Sequence, residues 1–116
     1  DSYVEVVRED LNGVAGVEIE VIDGPELKQK GLGGLHAVGR AAPNQPKLVI
    51  LTHTPIGVDP GAPALAFCGK GITYDTGGLA LKSRDGMCSM KTDMGGSAAC
   101  FAAFAALAKT GGGPGR

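Results

Sequence analysis

The chain has no tryptophan, only two tyrosines and only three phenylalanines in its 116 residues. With so few large rings, a core has to be assembled from Ala, Val, Leu and Ile. No apolar run reaches the roughly 18 residues that a membrane-spanning helix needs. The alanine-rich tract 97–108 is too short and too small-sided. Neither sign of charge is in excess: the formal net charge is −1, Lys and Arg are scattered, and no aromatic–basic interleaving occurs. Neither a nucleic acid nor a membrane surface is therefore expected as a partner. There is no CxxC pair, and the three cysteines, Cys68, Cys88 and Cys100, cannot all be bridged within the chain. Free thiols in a reducing compartment follow as the simpler expectation. The first ten residues are too charged for a signal peptide. The phosphate-loop pattern GxxxxGK[ST] is also absent, since Lys70 is followed by Gly71 and no glycine lies five before Gly69.

What is present is ordinary for a folded chain, with 43% hydrophobic and 20% charged residues. The length allows at most one domain, or a piece of one. Glycine is the exception: 20 residues, non-periodic and concentrated after Gly31, which points to tight turns and close backbone approaches.

Periodicity supplies the elements. Residues 1–12 fit the end of a helix. VEIEVID (17–23) alternates with period two, a half-buried strand. PELKQKGLGGLHAVGRAA (25–42) opens on proline and is broken by glycines at 31, 33 and 34, giving two short helices. KLVILTH (47–53) and PALAFCGK (63–70) are continuous apolar runs, the pattern of strands covered on both faces. Residues 71–91 read as irregular loop with one extended piece at 79–82. A helix over 94–109, apolar almost all round, is expected to be buried on most sides. The fold class is α/β, a three-layer sandwich with a mixed β-sheet between helices.

Between the last strand and the last helix lies FCGKGITYDTGGLALKSRDGMCSMKTD (67–93), dense in glycine, lysine and aspartate. Each residue alone has an ordinary explanation. Lys70 can be a strand-terminal lysine reaching water. Asp75 can close an Asx turn, and Asp93 can cap the helix that follows. Cys88 and Cys100 read as small buried hydrophobes, and His36 and His53 as structural. Together, two carboxylates and two amines on loops at strand ends, beside a helix start, mark where α/β sheets hold their sites. Divalent cations take oxygen ligands, and a lysine could join them only as its neutral amine. Composition and spacing lead to a metal or phosphate site and no further.

The two motifs GKGITYDTGGLALK and MKTDMGGSAA, with GLGGLHAVGRAA and KLVILTH upstream, resemble the leucyl (cytosol) aminopeptidase family of dinuclear metallopeptidases over roughly residues 24–110. The resemblance implies that Lys70 and Asp93 bind the tighter metal, that Asp75 bridges both, and that Lys82 polarises the substrate carbonyl or stabilises the oxyanion. It implies that Met90 lines the pocket for the first side chain. The cofactors implied are two divalent metal ions, Zn2+ with Mn2+ or Mg2+ possible at the looser position. The reaction is release of N-terminal, leucine-type residues from peptides with a free N-terminus, by a water that the paired cations activate. The resemblance also implies that residues 1–23 end a preceding region with the first strand, that 24–116 begin the peptidase catalytic domain, and that the full-length protein is a cytoplasmic homo-hexamer.

One departure stands against this. The family's second signature, NTDAEGR, does not occur, and the chain ends in GGGPGR at Arg116. Three of five expected metal ligands are present, so a truncated chain, inactive by itself, is expected. The alternatives are a non-catalytic metal-binding or interaction subunit of the same fold, and a phosphate-binding α/β module using GKG.

Overall fold

The computed structural model describes residues 1–59 and 61–113. Of the GGGPGR tail, Pro114, Gly115 and Arg116 lie outside the described residues. The architecture is α/β: a small sheet flanked by helices. Helix α1 (Ser2–Asp10) leads into strand β1 (Val17–Asp23), then helices α2 (Gly24–Gln29) and α3 (Gly33–Gly39), and strand β2 (Lys47–His53). After described residues that form neither helix nor strand come helix α4 (Arg84–Cys88), a 3-10 turn (Met90–Met94) and helix α5 (Gly95–Lys109).

The period-two segment and the continuous apolar run pair antiparallel, from Val17 opposite His53 to Asp23 opposite Lys47. At that last rung Lys47 Nζ donates to Asp23 Oδ2 at 2.8 Å and also lies 3.2 Å from Asp1 Oδ1, tying the start of the chain to the sheet. Odd-numbered strand residues face one way. Val17, Ile19, Val49 and Leu51 pack with Val7 and Leu11 of the α1 region and Ala105 of α5. The few rings meet in the same layer: Tyr3 stands edge-on to Phe101, and His53 edge-on to Phe104, each at 6.5 Å between centroids. Lys109 Nζ reaches Asp10 Oδ1 at 2.7 Å, joining the C-terminal ends of α5 and α1 across 99 residues of sequence. On the sheet's other face Ile22 is buried, and α2 packs on β1 and β2 with Leu27 fully enclosed.

Four expectations are corrected. Segment 63–70 is extended but forms no ladder among the described residues, which hold a two-stranded sheet. Its apolar side chains stand out, Leu65 and Phe67 being 73% and 63% exposed. Residues 79–82 likewise belong to a turn, closed by Lys82 N–H donating to Thr76 O at 2.9 Å. Helix α5 buries only Ala105 and Ala108, while Leu107 is exposed. Its apolar residues run all round, yet α1 and the sheet cover one side. Cys88 is exposed rather than buried and Cys100 is half-buried, and all three thiols are free. No described helix is long and apolar enough to cross a membrane.

Leu27→Ala, at the most enclosed side chain, should lower the unfolding free energy by about 2–5 kcal/mol. Leu35→Ala, on the open side of α3, should change it by less than about 0.5 kcal/mol. Urea denaturation of both variants against the parent checks the pair.

Candidate metal centre

The site begins with the backbone. Helix α5 opens at Gly95, and the N–H groups of its first turn have no partner within the helix. Asp93 is not the cap: it lies in the 3-10 turn, the N-cap is Met94, and no side chain accepts there. The Lys70 carbonyl takes that role, accepting from Ser97 N–H at 2.7 Å. The extended segment therefore lies flush on the helix start. A β-carbon at Gly69 would stand 2.7 Å from Gly96 O and 2.8 Å from Ser97 Cα, and one at Gly71 2.8 Å from Ser97 Oγ. The glycines beside Lys70 are thus required by packing against α5.

With its backbone fixed there, Lys70 Nζ donates to Asp93 Oδ1 at 2.9 Å, across 23 residues of sequence. Asp75 is used differently. Its Oδ1 accepts from Gly77 N–H at 2.9 Å, an Asx turn that leads into Gly77 at φ +90. That backbone favours glycine, and a β-carbon there would also collide with the Ala80 carbonyl. Lys82 is half-buried, with its ammonium 3.5 Å from the sulfur of Met90, which is 3% exposed. The structure brings Lys70 to Asp93 and Lys82 to Met90, while Asp75 is bonded within its own turn.

Charge follows the geometry. The hydrogen bond from Lys70 holds the Asp93 carboxyl below the usual carboxylate range; a smaller desolvation opposes it, and the charges of Lys70 and then Lys82 add to the lowering. Both lysines therefore act electrostatically on one carboxylate. The pair is open to water, Lys70 and Asp93 side chains being 60% and 32% exposed, so the ion pair itself adds little stability.

Among the described residues no group of three or more His, Cys, Asp or Glu side chains is placed to hold a metal ion. The donor chemistry nonetheless fits part of a divalent-cation site: a carboxylate oxygen and an amine nitrogen are in contact, and a cation could replace the proton they share. The Ser83 cap on α4, whose Oγ accepts from Gly86 N–H at 3.2 Å, and the 3-10 turn were not foreseen from sequence. Ser83 three residues before a glycine is a weak signal, and a five-residue helix carries too little periodicity to read.

In the metal-free chain the Asp93 carboxyl should titrate below the ordinary range, and Lys70→Ala should raise its midpoint. A lowered folded-state value stabilises the fold above the ordinary carboxylate range and is lost as pH falls through the lowered value. Carbon-13 NMR of the Asp93 carboxyl across the acid range reads both effects.

The profile described as "Cytosol aminopeptidase family, catalytic domain" matches residues 1–112. Leucine aminopeptidase 1 of Caenorhabditis elegans is 44% identical over 101 residues, 87% of this chain and 20% of that protein. The human protein named probable aminopeptidase NPEPL1 is 44% identical over 111 residues, 96% of this chain and 20% of its own length. The structure of leucyl aminopeptidase from Leishmania major in complex with actinonin superposes with a TM-score of 0.81 at 46% identity, covering 92% of this chain and 20% of that one. The chain thus spans about one fifth of the length of these relatives. Its residues 1–112 belong to the catalytic domain of the cytosol aminopeptidase family.

Proposed function

We propose that this chain is the part of a metal-dependent aminopeptidase in which Lys70, Asp75 and Asp93 hold two divalent cations and Lys82 acts on the substrate carbonyl. The observation that carries the reading is the 2.9 Å contact of Lys70 with Asp93, made between segments that sequence spacing alone would not join. The cations, zinc with manganese or magnesium at the looser position, would supply Lewis acidity and a water of lowered pKa.

The chain's own residues do the rest. Lys70, its backbone held by Ser97, would hold a cation through its neutral amine, the displaced proton passing to solvent. Asp93 enters as a carboxylate, already favoured as such by the two lysines. Asp75, with one oxygen accepting from Gly77 N–H, would offer its carboxylate to the cations. Lys82 would add positive charge where the tetrahedral oxyanion forms. Met90, against the Lys82 head, lines the pocket for the substrate's first side chain. Peptides with a free N-terminus would be the substrates, leucine-type residues the products, and a cytoplasmic hexamer the assembly of the full-length protein.

A second reading is favoured by one observation: as an ammonium, Lys70 already neutralises Asp93. On that reading the chain is a non-catalytic interaction subunit of the same fold.

Two tests divide these. Calorimetric titration with Zn2+ should show uptake that Lys70→Ala and Asp93→Ala abolish and Lys82→Ala spares. Grafted in place of the matching fifth of C. elegans leucine aminopeptidase 1, the chain should support hydrolysis of leucine p-nitroanilide. Lys82→Ala in that graft should lower kcat by about 100-fold or more with cation content unchanged. A folded but inactive graft would favour the second reading.

A further inference from the structure

We propose that Gly96 is a positioning residue for the cation site, setting the distance between Lys70 and Asp93 by the absence of its β-carbon. The inference rests on the reading of Lys70 and Asp93 as ligands. Three observations carry it. A β-carbon at Gly96 would lie 3.0 Å from Lys70 N, 3.1 Å from Lys70 O and 3.6 Å from Lys70 Cα, so its nearest neighbours are all backbone of the candidate ligand. The next residue, Ser97, makes the 2.7 Å hydrogen bond to the Lys70 carbonyl, so the two backbones are in direct register at this point. Asp93 lies three residues before Gly96, in a 3-10 turn that runs directly into α5, and moves with the helix start.

A methyl group at position 96 therefore pushes the Lys70 backbone away from the body that carries Asp93. The displacement required is a few tenths of an ångström, because contacts at 3.0 and 3.1 Å are tighter than ordinary carbon packing. Metal sites tolerate ligand displacements of only about 0.2 Å. A change that is minor for packing is thus large for two atoms meant to share one cation. Gly69 approaches the same seam from the other side, and its β-carbon would meet Gly96 O at 2.7 Å. Gly95, one residue earlier, has open space where its β-carbon would go. The demand for glycine is specific to the residue that faces Lys70.

Helix propensity makes the test sharp. Alanine is a better helix former than glycine, so a purely structural effect of Gly96→Ala in α5 would leave helicity unchanged or raise it. A positioning effect would weaken cation binding in the same variant. The full chain is titrated with Mn2+, following loss of the free-ion signal by electron paramagnetic resonance, and the Asp93 carboxyl carbon is observed by NMR without metal. Gly96→Ala should weaken Mn2+ binding by about tenfold or more, the range for groups that orient metal ligands. It should also move the Asp93 carbon resonance toward its position in Lys70→Ala, with helicity by circular dichroism not reduced. Gly95→Ala should leave both readouts at the parent values, and Gly69→Ala should exceed Gly96→Ala.

If Gly96→Ala matches Gly95→Ala in both readouts while Asp93→Ala abolishes Mn2+ uptake, the positioning role is overturned and the cation reading stands. If the parent chain takes up no Mn2+, or Asp93→Ala binds it as the parent does, the cation reading fails. The carbon resonance then still decides whether Gly96 sets the Lys70–Asp93 contact.

Discussion

Lys70 is attached to the start of α5 at two points, and the arrangement of the site depends on both. Its carbonyl accepts from Ser97 N–H, filling a position that a side-chain cap would otherwise take. Its ammonium meets the carboxylate of Asp93, which that substitution leaves uncommitted. The backbone contact demands glycine on both segments, and the side-chain contact demands an acid just before the helix. The motifs GKG and TDMGGS therefore describe one joint seen from its two sides.

This joint is placed by the fold beneath it. Helix α5 is held against the sheet by Ala105, Phe101 and Phe104, and to α1 by the Lys109–Asp10 pair. The segment carrying Lys70 has no such support among the described residues, and its apolar side chains are exposed. Its order at Lys70 comes from the contact with α5. The chain spans about a fifth of its relatives' length.

Much of the fold was legible in the sequence because its signals were local. β1 follows from five alternating charged and apolar positions, β2 from an apolar run rich in β-branched residues, and the division of α2 from α3 from the glycines at 31, 33 and 34. The failures were non-local. PALAFCGK has the composition of a strand, but a ladder needs a partner that composition cannot name. Helix α5 has the pattern of a buried helix, but burial depends on what else is present. At the site, an Asx turn at Asp75 was foreseen as an ordinary use of that residue, and the structure contains it. An N-cap role for Asp93 was equally reasonable and is absent, because the Lys70 carbonyl arrives from 27 residues away to satisfy the helix instead. The Lys70–Asp93 approach was reachable only through the family resemblance, since no spacing rule joins residues so far apart in the chain.

The central claim is that the Lys70–Asp93 contact is the proton-bound form of a cation site. Crystals grown with Mn2+, with anomalous diffraction measured near the manganese edge, test it most directly. The account predicts a peak within about 2.0–2.3 Å of Lys70 Nζ and an Asp93 oxygen, replacing the hydrogen bond between them. An ordered metal bound elsewhere, or none, with Lys70 still donating to Asp93 at 2.9 Å, would contradict it.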